Sequence, residues 1–269
     1  MTPGTPTLPS GLDSMEQIAG RLAGKRAAVF LDYDGTLTPI VSRPELAVLS
    51  EEMRATLERL AAVCTVAIVS GRDRLDVEGL VKVDGLVYAG SHGFDIVGPG
   101  GLNMQHEEGA RYRPILEQAA GEIEQRVGGI EGVLIERKKY AVATHYRLVA
   151  EEHVPAIDDA VDEVAAAHPE LRRTGGKKVY ELRPKLEWHK GKAVEWLLQA
   201  LDLDHPDVLP FYLGDDETDE DAFRALADRG IGVMVAEDPG ATSAHYLLRD
   251  PGEAQAFLDR LIDTVEGTH

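Results

Sequence analysis

Two carboxylates placed two positions apart, Asp32 and Asp34, are the residues of this sequence best suited to chemistry. They follow an apolar run at 27–31 and precede the turn dipeptide Gly35-Thr36. The run predicts a short buried strand, so Asp32 is expected at its carboxyl end, where open α/β sheets bind ligands. A charge there is costly unless it is paired or coordinates a metal. The pair indicates a nucleophile or metal ligand beside a general acid/base, and the alternative is two turn-forming aspartates.

A second acidic cluster indicates a cation. Five of the six residues 215–220 are acidic, and they follow another apolar run that predicts a strand. Such a cluster repels itself strongly unless a cation is present. Mg²⁺ prefers octahedral oxygen ligands with few carboxylates, and Asp32, Asp215 and the carbonyl of Asp34 would supply them. The alternative is an acidic start to a helix at 219–228, which the helix dipole favours but which leaves the acids at the strand exit unexplained.

Two further motifs could bind a phosphate. Ser70-Gly-Arg72 follows the predicted strand 65–69, and its hydroxyl, backbone amides and guanidinium are donors suited to phosphate oxygens. Lys190 opens a predicted helix and could neutralise a phosphoryl group beside Asp32. Each motif is weak by itself, because Ser-Gly-Arg is also a plain turn sequence and lysines are common at exposed helix starts.

The elements that must position these residues follow an α/β pattern. Short β-branched runs alternate with amphipathic helical patterns at both ends of the chain, which predicts a parallel sheet with right-handed crossovers. Ser50 is the expected N-cap of the first of these helices. The predicted strands are 27–31, 65–69, 86–89, 209–213 and 230–235, and the predicted helices are 51–61, 190–201 and 219–228.

The middle of the chain has a different pattern, helix-strand-strand repeated twice, which is typical of a small α+β layer with an antiparallel sheet. Gly98-Pro-Gly-Gly101 and Arg183-Pro184 flank it as predicted hinges. We therefore expect a disordered tail at 1–13, a core built from 14–97 and 185–269, and an inserted cap at 98–184. The predicted cap helices are 112–127 and 154–167, and its predicted strands are 133–138, 140–146, 171–174 and 179–182.

Composition limits the classes of partner. The chain of 269 residues carries 28 basic and 47 acidic residues, a formal net charge of −19, which disfavours nucleic acid and anionic membranes. An anionic substrate would then need a local cation. No segment approaches the ~18 apolar residues of a membrane span, and the N-terminus lacks a signal-peptide pattern. A single cysteine, Cys64, excludes an intrachain disulfide. We expect a cytoplasmic monomer that binds a small molecule.

The four strand-end motifs, in this order, resemble those of the haloacid dehalogenase-like (HAD) phosphatase superfamily, from about residue 27 to the C-terminus. The insertion after the second motif is similar to the C2B-type cap of that superfamily. Narrower motifs resemble the trehalose-6-phosphate phosphatase family, namely Asp32-Tyr-Asp-Gly-Thr-Leu-Thr-Pro-Ile40, Gly90-Ser-His-Gly93, Glu136-x-Lys138 with His145-Tyr-Arg147, Tyr180-Glu-Leu-Arg-Pro184 and Gly214-Asp-Asp-Glu-Thr-Asp-Glu220.

The resemblance implies a fold and a reaction. The fold would be a Rossmann-like parallel-sheet core with an inserted α+β cap. The reaction would be Mg²⁺-dependent hydrolysis of trehalose 6-phosphate through an aspartyl-phosphate, a step of trehalose biosynthesis. Asp32 would be the nucleophile and Asp34 the general acid/base. Asp32, Asp34 and Asp215 would hold Mg²⁺, and Asp216 and Asp219 would support these ligands without binding the ion.

The resemblance also implies the substrate contacts. Thr36, Ser70 and Lys190 would bind phosphoryl oxygens, and the expected contacts to the rest of the sugar phosphate are Arg72, His92, Glu136, Lys138 and Glu181. Because cap residues decide the sugar, a phosphatase for another glycosyl phosphate, of the sucrose-phosphate or mannosylglycerate type, stays open. A hexose-phosphate mutase and a dehalogenase are disfavoured. From a different class of protein, a non-catalytic regulator that binds a sugar phosphate also stays open.

Overall fold

The predicted strands from the two ends of the chain meet in one sheet. The computed structural model describes residues 8–267, and the chain divides into two compact units, Met1–Asn103 with His189–His269 and Met104–Trp188. The predicted boundaries at 97/98 and 184/185 lie a few residues before these divisions. The role of the second unit as a cap stays a prediction.

Each apolar run that was predicted as a core strand forms one. In chain order the strands are β1 (Arg26–Leu31), β2 (Thr65–Val69), β3 (Val87–Gly90), β4 (Asp95–Val97), β5 (Asn103–Gln105), β6 (Leu134–Arg137), β7 (Val142–His145), β8 (Leu171–Gly176), β9 (Val179–Pro184), β10 (Val208–Gly214), β11 (Ile231–Val235) and β12 (Tyr246–Leu248). The larger sheet has the order β12-β11-β10-β1-β2-β3-β4-β5. It is parallel from β12 to β3, and β4 runs antiparallel to β3. The predicted α/β fold is confirmed, with an antiparallel edge that the parallel-sheet prediction lacked.

Helices cover the core sheet and bury its apolar residues. In chain order the helices are α1 (Met15–Leu22), α2 (Glu51–Val63), α3 (Arg74–Val81), α4 (Glu107–Ala110), α5 (Arg113–Val127), α6 (Val154–Ala167), α7 (Lys190–Ala200), α8 (Glu220–Leu226) and α9 (Pro251–Gly267). Leu57 of α2, Ile68 of β2 and Phe257 of α9 are fully buried in one apolar cluster. The predicted N-cap Ser50 is confirmed, because its hydroxyl accepts from the amide of Met53 at 3.1 Å.

The second unit is an antiparallel sheet with two helices on one face. The sheet has the order β6-β7-β9-β8, and each neighbouring pair is antiparallel. Leu182 of β9 is buried with Ile123 of α5 and Ile157 of α6 in a separate apolar cluster. Because side chains alternate between the faces of a strand, the residues on either side of Leu182 point away from these helices. The opposite face of the sheet therefore carries Glu181 and Arg183.

The segment before α1 is ordered where disorder was expected. The amide of Leu247 donates to the carbonyl of Pro9 at 3.0 Å, and the amide of Gly11 donates to the carbonyl of Leu247 at 2.9 Å. These bonds hold 9–11 against β12. The expectation of a disordered tail is therefore wrong for 8–13, and 1–7 lie outside the described residues. Within 8–267, no helix is both long enough and apolar enough to cross a membrane.

Candidate active site

The carboxyl ends of three strands bring the motif residues to one edge of the core sheet. β1 pairs in parallel with β10 and with β2, so Asp32, Ser70 and Asp215 each follow a strand at the same edge. The amide of Asp32 donates to the carbonyl of Leu213 at 2.9 Å, which extends the β1–β10 pairing as far as the carboxylate. The motif residues are therefore held by rigid strands rather than by loose loops.

Asp32, Asp215 and Asp219 form a buried acidic cluster. Each carboxylate offers one oxygen, and these oxygens lie within 4.8 Å of one another. All three residues are buried, Asp219 completely. Gly35 permits the approach, because it has a φ of +84° and a Cβ atom there would lie 2.0 Å from Asp215 Oδ2. Carboxylate oxygens at this spacing are suited to a hard cation.

The ammonium group of Lys190 lies beside two of these carboxylates. Lys190 is the first residue of α7 and is 2% exposed, and its Nζ lies 2.9 Å from Asp32 Oδ1 and 2.6 Å from Asp219 Oδ1. Burial alone would lower the pKa of Lys190, but the charges of Asp219 and Asp32 raise it above its ordinary value. Lys190 is therefore a permanent positive charge next to Asp32.

The cluster holds more negative charge than Lys190 offsets. Burial raises the pKa of Asp32 well above its ordinary value; Lys190 opposes this, and the charges of Asp219 and Asp215 add to it. A divalent cation on Asp32 and Asp215 would favour the ionised carboxylates and reverse the shift. The residues present therefore fit a metal ion held by oxygen ligands.

Both oxygens of Asp219 accept bonds from the protein. Oδ1 accepts from Lys190 Nζ and from the hydroxyl of Tyr212, each at 2.6 Å. Oδ2 accepts from the amides of Asp215 and Asp216 at 3.0 and 3.1 Å. With two donors on each oxygen, Asp219 orients Lys190 and the turn that carries Asp215. This geometry agrees with a supporting role for Asp219 rather than a direct bond to an ion.

Two hydroxyl groups of the strand-end motifs are available to an anion. Thr36 is fully buried, and its Oγ1 has no hydrogen-bond partner among residues 8–267. An unpartnered buried hydroxyl costs free energy unless a ligand or water completes it. The Ser70 hydroxyl accepts from the amide of Arg72 at 3.1 Å, and its own hydrogen remains able to donate. Both groups fit the donors that a phosphoryl oxygen requires.

His92 and Asp216 are held in place by the backbone around them. Ser91 and His92 both have positive φ, at +50° and +57°, an arrangement that costs free energy and is frequent at functional sites. The amide of His92 donates to the carbonyl of Ser70 at 2.8 Å, and a Cβ atom on Gly71 would lie 2.8 Å from its Nε2. Asp216 caps the turn that follows it, because its Oδ1 accepts from the amide of Thr218 at 2.8 Å. The structure therefore brings His92 beside Ser70, whereas the carboxylate of Asp216 binds its own turn.

Arg72 binds Asp34, where a substrate contact was expected. Its Nε and Nη2 donate to Oδ2 and Oδ1 of Asp34 at 2.8 and 2.9 Å. The carboxylate of Asp34 therefore does not join the acidic cluster, and only its backbone carbonyl is left as the metal ligand that was expected.

The residues expected to bind the sugar are linked to one another on the charged face of the second unit. Glu136 of β6 and Glu181 of β9 lie in one row across the sheet. Lys138 Nζ lies 2.9 Å from Glu181 Oε1 and 4.0 Å from Glu136 Oε2, and His145 Nε2 lies 2.9 Å from Glu136 Oε2. Burial raises the pKa of Glu136, but the bond from His145 and the charge of Lys138 outweigh it and lower the pKa below its ordinary value. The face is a connected network of alternating charges.

Comparison with known proteins identifies the family. The family model described as trehalose-phosphatase matches residues 30–251. The trehalose 6-phosphate phosphatase RA3 of Zea mays is 41% identical over 268 residues, which cover 94% of this chain and 74% of the relative. This chain belongs to the trehalose-phosphatase family. It is accordingly a phosphoric monoester hydrolase.

Solved structures show the same fold for this trehalose-phosphatase family member. The C-terminal domain of the C. albicans trehalose-6-phosphate phosphatase matches with a TM-score of 0.82 at 23% identity, covering 97% of this chain and 99% of that one. A haloacid dehalogenase-like hydrolase from Bacteroides thetaiotaomicron matches with a TM-score of 0.62 at 15% identity, covering 91% of this chain and 100% of that one. The HAD-like core predicted from the motif order is therefore confirmed.

Three residues that bind the expected site residues of this phosphatase had no predicted role in the site. Tyr212 lies inside the apolar run before the acidic cluster, where a tyrosine is expected to pack in the core. Its hydroxyl nevertheless donates to Asp219. Asp76 lies four positions after Arg72 and accepts from its Nη1 at 2.8 Å, and an acid at this spacing from an arginine is visible in the sequence. Arg183 follows Glu181 by two positions, the spacing of one strand face, and its Nε donates to that carboxylate.

Proposed function

We propose that this enzyme hydrolyses trehalose 6-phosphate to trehalose and phosphate, a step of trehalose biosynthesis. Membership of the family and the name of the Zea mays relative support the substrate. The observation that carries the chemistry is the setting of Asp32. A buried carboxylate at a strand end, 2.9 Å from a buried ammonium and beside a second acid, is a nucleophile held where an anion can be bound.

Mg²⁺ would be held by the carboxylates of Asp32 and Asp215 and by the backbone carbonyl of Asp34. When bound, the ion supplies positive charge that lets a carboxylate approach a phosphate dianion. Mg²⁺ prefers oxygen ligands. A typical zinc site uses histidine or cysteine, and among residues 8–267 neither residue type belongs to this acidic cluster.

The reaction proceeds in two steps. In the first, an oxygen of Asp32 attacks phosphorus and forms a new O–P bond as the P–O bond to the sugar breaks, and Asp34 gives its proton to the departing sugar oxygen. In the second, water attacks the phosphorus of the aspartyl-phosphate and loses a proton to Asp34, and the bond to Asp32 breaks to release phosphate. Lys190, Thr36 and Ser70 hold the phosphoryl oxygens throughout, and the unpartnered hydroxyl of Thr36 supports its part in this.

The sugar is bound by Glu136, Lys138 and Glu181. Charged groups make strong hydrogen bonds to hydroxyl groups, and the network that joins these three side chains keeps them in fixed positions. A site built from fixed polar groups discriminates strongly against a substrate that leaves them unpaired. Because a hexose phosphate would leave some of these polar groups unpaired, the site favours a disaccharide phosphate. His92 contacts the substrate near the phosphate, because its backbone is bonded to Ser70.

Phosphate release from a panel of sugar phosphates with Mg²⁺ tests both the activity and the substrate. We expect kcat/KM to be highest for trehalose 6-phosphate, and equal values for glucose 6-phosphate would contradict the substrate. Asp32→Asn keeps the shape of the side chain and is expected to abolish release with an unchanged circular dichroism spectrum. Release by that variant at the parent's rate would contradict the mechanism. Binding of trehalose 6-phosphate by calorimetry without any release by the parent would favour the regulator, and light scattering tests the expected monomer.

A further inference from the structure

The guanidinium group of Arg72 donates two parallel hydrogen bonds to the carboxylate of Asp34. Nε donates to Oδ2 at 2.8 Å and Nη2 donates to Oδ1 at 2.9 Å, which is a bidentate geometry. The side chain of Arg72 is 8% exposed and that of Asp34 is 37% exposed. Arg72 is therefore the buried partner, and Asp34 is the more accessible carboxylate that it holds.

Arg72 is itself fixed by groups that accept from two of its three remaining N–H donors. Nη2 also donates to the carbonyl of Pro44 at 2.7 Å, and Nη1 donates to Asp76 Oδ2 at 2.8 Å. The guanidinium carbon lies 5.5 Å from the centre of the Tyr33 ring. All three guanidinium nitrogens thus donate to protein groups. A substrate oxygen could be bound in bidentate fashion only after one of these buried bonds is broken.

We propose that Arg72 is a positioning residue, which acts on catalysis through Asp34 and makes no contact with the substrate. The inference rests on the proposed function, in which Asp34 transfers protons to and from the sugar oxygen and water. Two bonds fix the plane of the Asp34 carboxylate, and Asp76 and the Pro44 carbonyl fix the guanidinium. Orientation of a catalytic group is a large part of its effect on rate. Arg72 thereby limits the orientations from which the Asp34 carboxyl group can give or take a proton.

A double-mutant cycle tests this role. Arg72→Met, Asp34→Asn and the double variant are compared with the parent protein, using trehalose 6-phosphate and Mg²⁺, by steady-state kinetics and by rapid-quench measurement of the first step. In the parent background, Arg72→Met is expected to lower kcat about tenfold or more, within the range that general acid/base groups contribute, with KM changed less than about twofold. In the Asp34→Asn background the same change is expected to lower the rate less than about twofold, because the residue it positions is gone.

The opposite pattern would overturn the proposal. If Arg72 contacts the substrate, Arg72→Met raises KM and lowers kcat/KM by the same factor in both backgrounds. Arg72→Lys keeps the charge but cannot form two parallel bonds, so it is expected to lose nearly as much activity as Arg72→Met. Full activity in Arg72→Lys would show that charge alone matters and would refute positioning.

The leaving group gives a second readout that a general loss of stability would not produce. p-Nitrophenolate departs as a stable anion and needs little help from an acid. The first step with p-nitrophenyl phosphate is therefore expected to slow much less in Arg72→Met than the first step with trehalose 6-phosphate. Equal slowing with both esters would contradict an effect that passes through Asp34.

Arg74 offers a matched control. Its side chain is 15% exposed and pairs with Glu78 and Asp95 but not with Asp34. Arg74→Met removes comparable ion pairs and is expected to leave the first-step rate within about twofold of the parent, with melting temperatures recorded for every variant. Absence of turnover in the parent would overturn the proposed function and the role of Arg72 with it. Turnover with an additive cycle would overturn the role of Arg72 alone.

Discussion

Tyr212→Phe removes one buried hydroxyl from the site and leaves the rest of the side chain in place. The Tyr212 side chain is fully buried, its ring lies edge-on to Phe223 with centroids 5.7 Å apart, and its hydroxyl donates to Asp219 Oδ1 at 2.6 Å. Phenylalanine keeps the ring contact, so the change reports the hydrogen bond to the carboxylate. That bond matters because Asp219 also holds Lys190, which lies 2.9 Å from Asp32.

The size of the effect follows from the partners that remain. A hydrogen bond to a charged group contributes roughly 1.5–3 kcal/mol to stability. Asp219 keeps Lys190 on Oδ1 and two amides on Oδ2, so the loss is expected at the low end, about 1.5 kcal/mol. For a protein of this size that lowers the melting temperature by about 3–6 °C. If the transition state lost all of this stabilisation, kcat would fall by about tenfold, which is the upper limit of the effect on kcat.

Calorimetric melting and phosphate release, each with Mg²⁺, measure the two effects. Tyr88→Phe is the matched control, because the hydroxyl of Tyr88 is also buried and donates to the carbonyl of Val83 at 2.7 Å, away from the acidic cluster. It is expected to lower the melting temperature without changing kcat. A Tyr212→Phe variant with parent stability and parent kcat would refute the reasoning. A fall in kcat far beyond tenfold would show that the hydroxyl does more than orient Asp219.

Three further outcomes are expected. Thr36→Val should lower kcat/KM for phosphate release at least about tenfold with little change in melting temperature, since within 8–267 its hydroxyl has no partner to lose; a large loss of stability instead would contradict this. Ser50→Ala should lower the free energy of unfolding by about 1 kcal/mol in urea with kcat unchanged, and equal stability would mean that the cap bond is not made in solution. Burial raises the pKa of Cys64 from its ordinary 9.0 to about 12, so the stability this contributes is complete below pH 9 and is lost as the pH rises toward 12. The urea midpoint should therefore fall more steeply above pH 9 in the parent than in Cys64→Ala, and identical pH dependence in the two proteins would exclude the shift.

The centre of the site was predictable because it depends on short-range patterns. The apolar runs predicted β1, β2 and β10 to within one residue at each end. The acids follow these runs directly in the sequence, and parallel strands bring their carboxyl ends to one edge. Asp32 and Asp215 therefore had to meet once the strands were recognised. Helix α9 was not among the predicted helices, although its buried residues, which include Phe257, Leu261 and Val265, recur at helical spacing.

The partners of side chains across elements were not predictable. The chemistry of Arg72 suits a phosphate and a carboxylate equally, and only the register of β1 beside β2 decides that Asp34 is within its reach. The antiparallel β4 has three residues, too few for a period-two pattern to stand out. The segment 9–11 was read from its composition as disordered, but its backbone bonds to β12 depend on a strand more than two hundred positions away.

The net charge of −19 and the affinity for a phosphate dianion are compatible because they act over different distances. At physiological ionic strength, exposed charges are screened beyond about 8 Å, so the acidic surface acts weakly inside the site. Lys190 is 2% exposed and 2.9 Å from Asp32, and its charge is little screened there. A polyanion such as a nucleic acid would have to approach many surface carboxylates at once, whereas a small phosphate ester needs to approach only the site that holds Lys190. The acidic surface therefore selects against large anions while Lys190 attracts a small one.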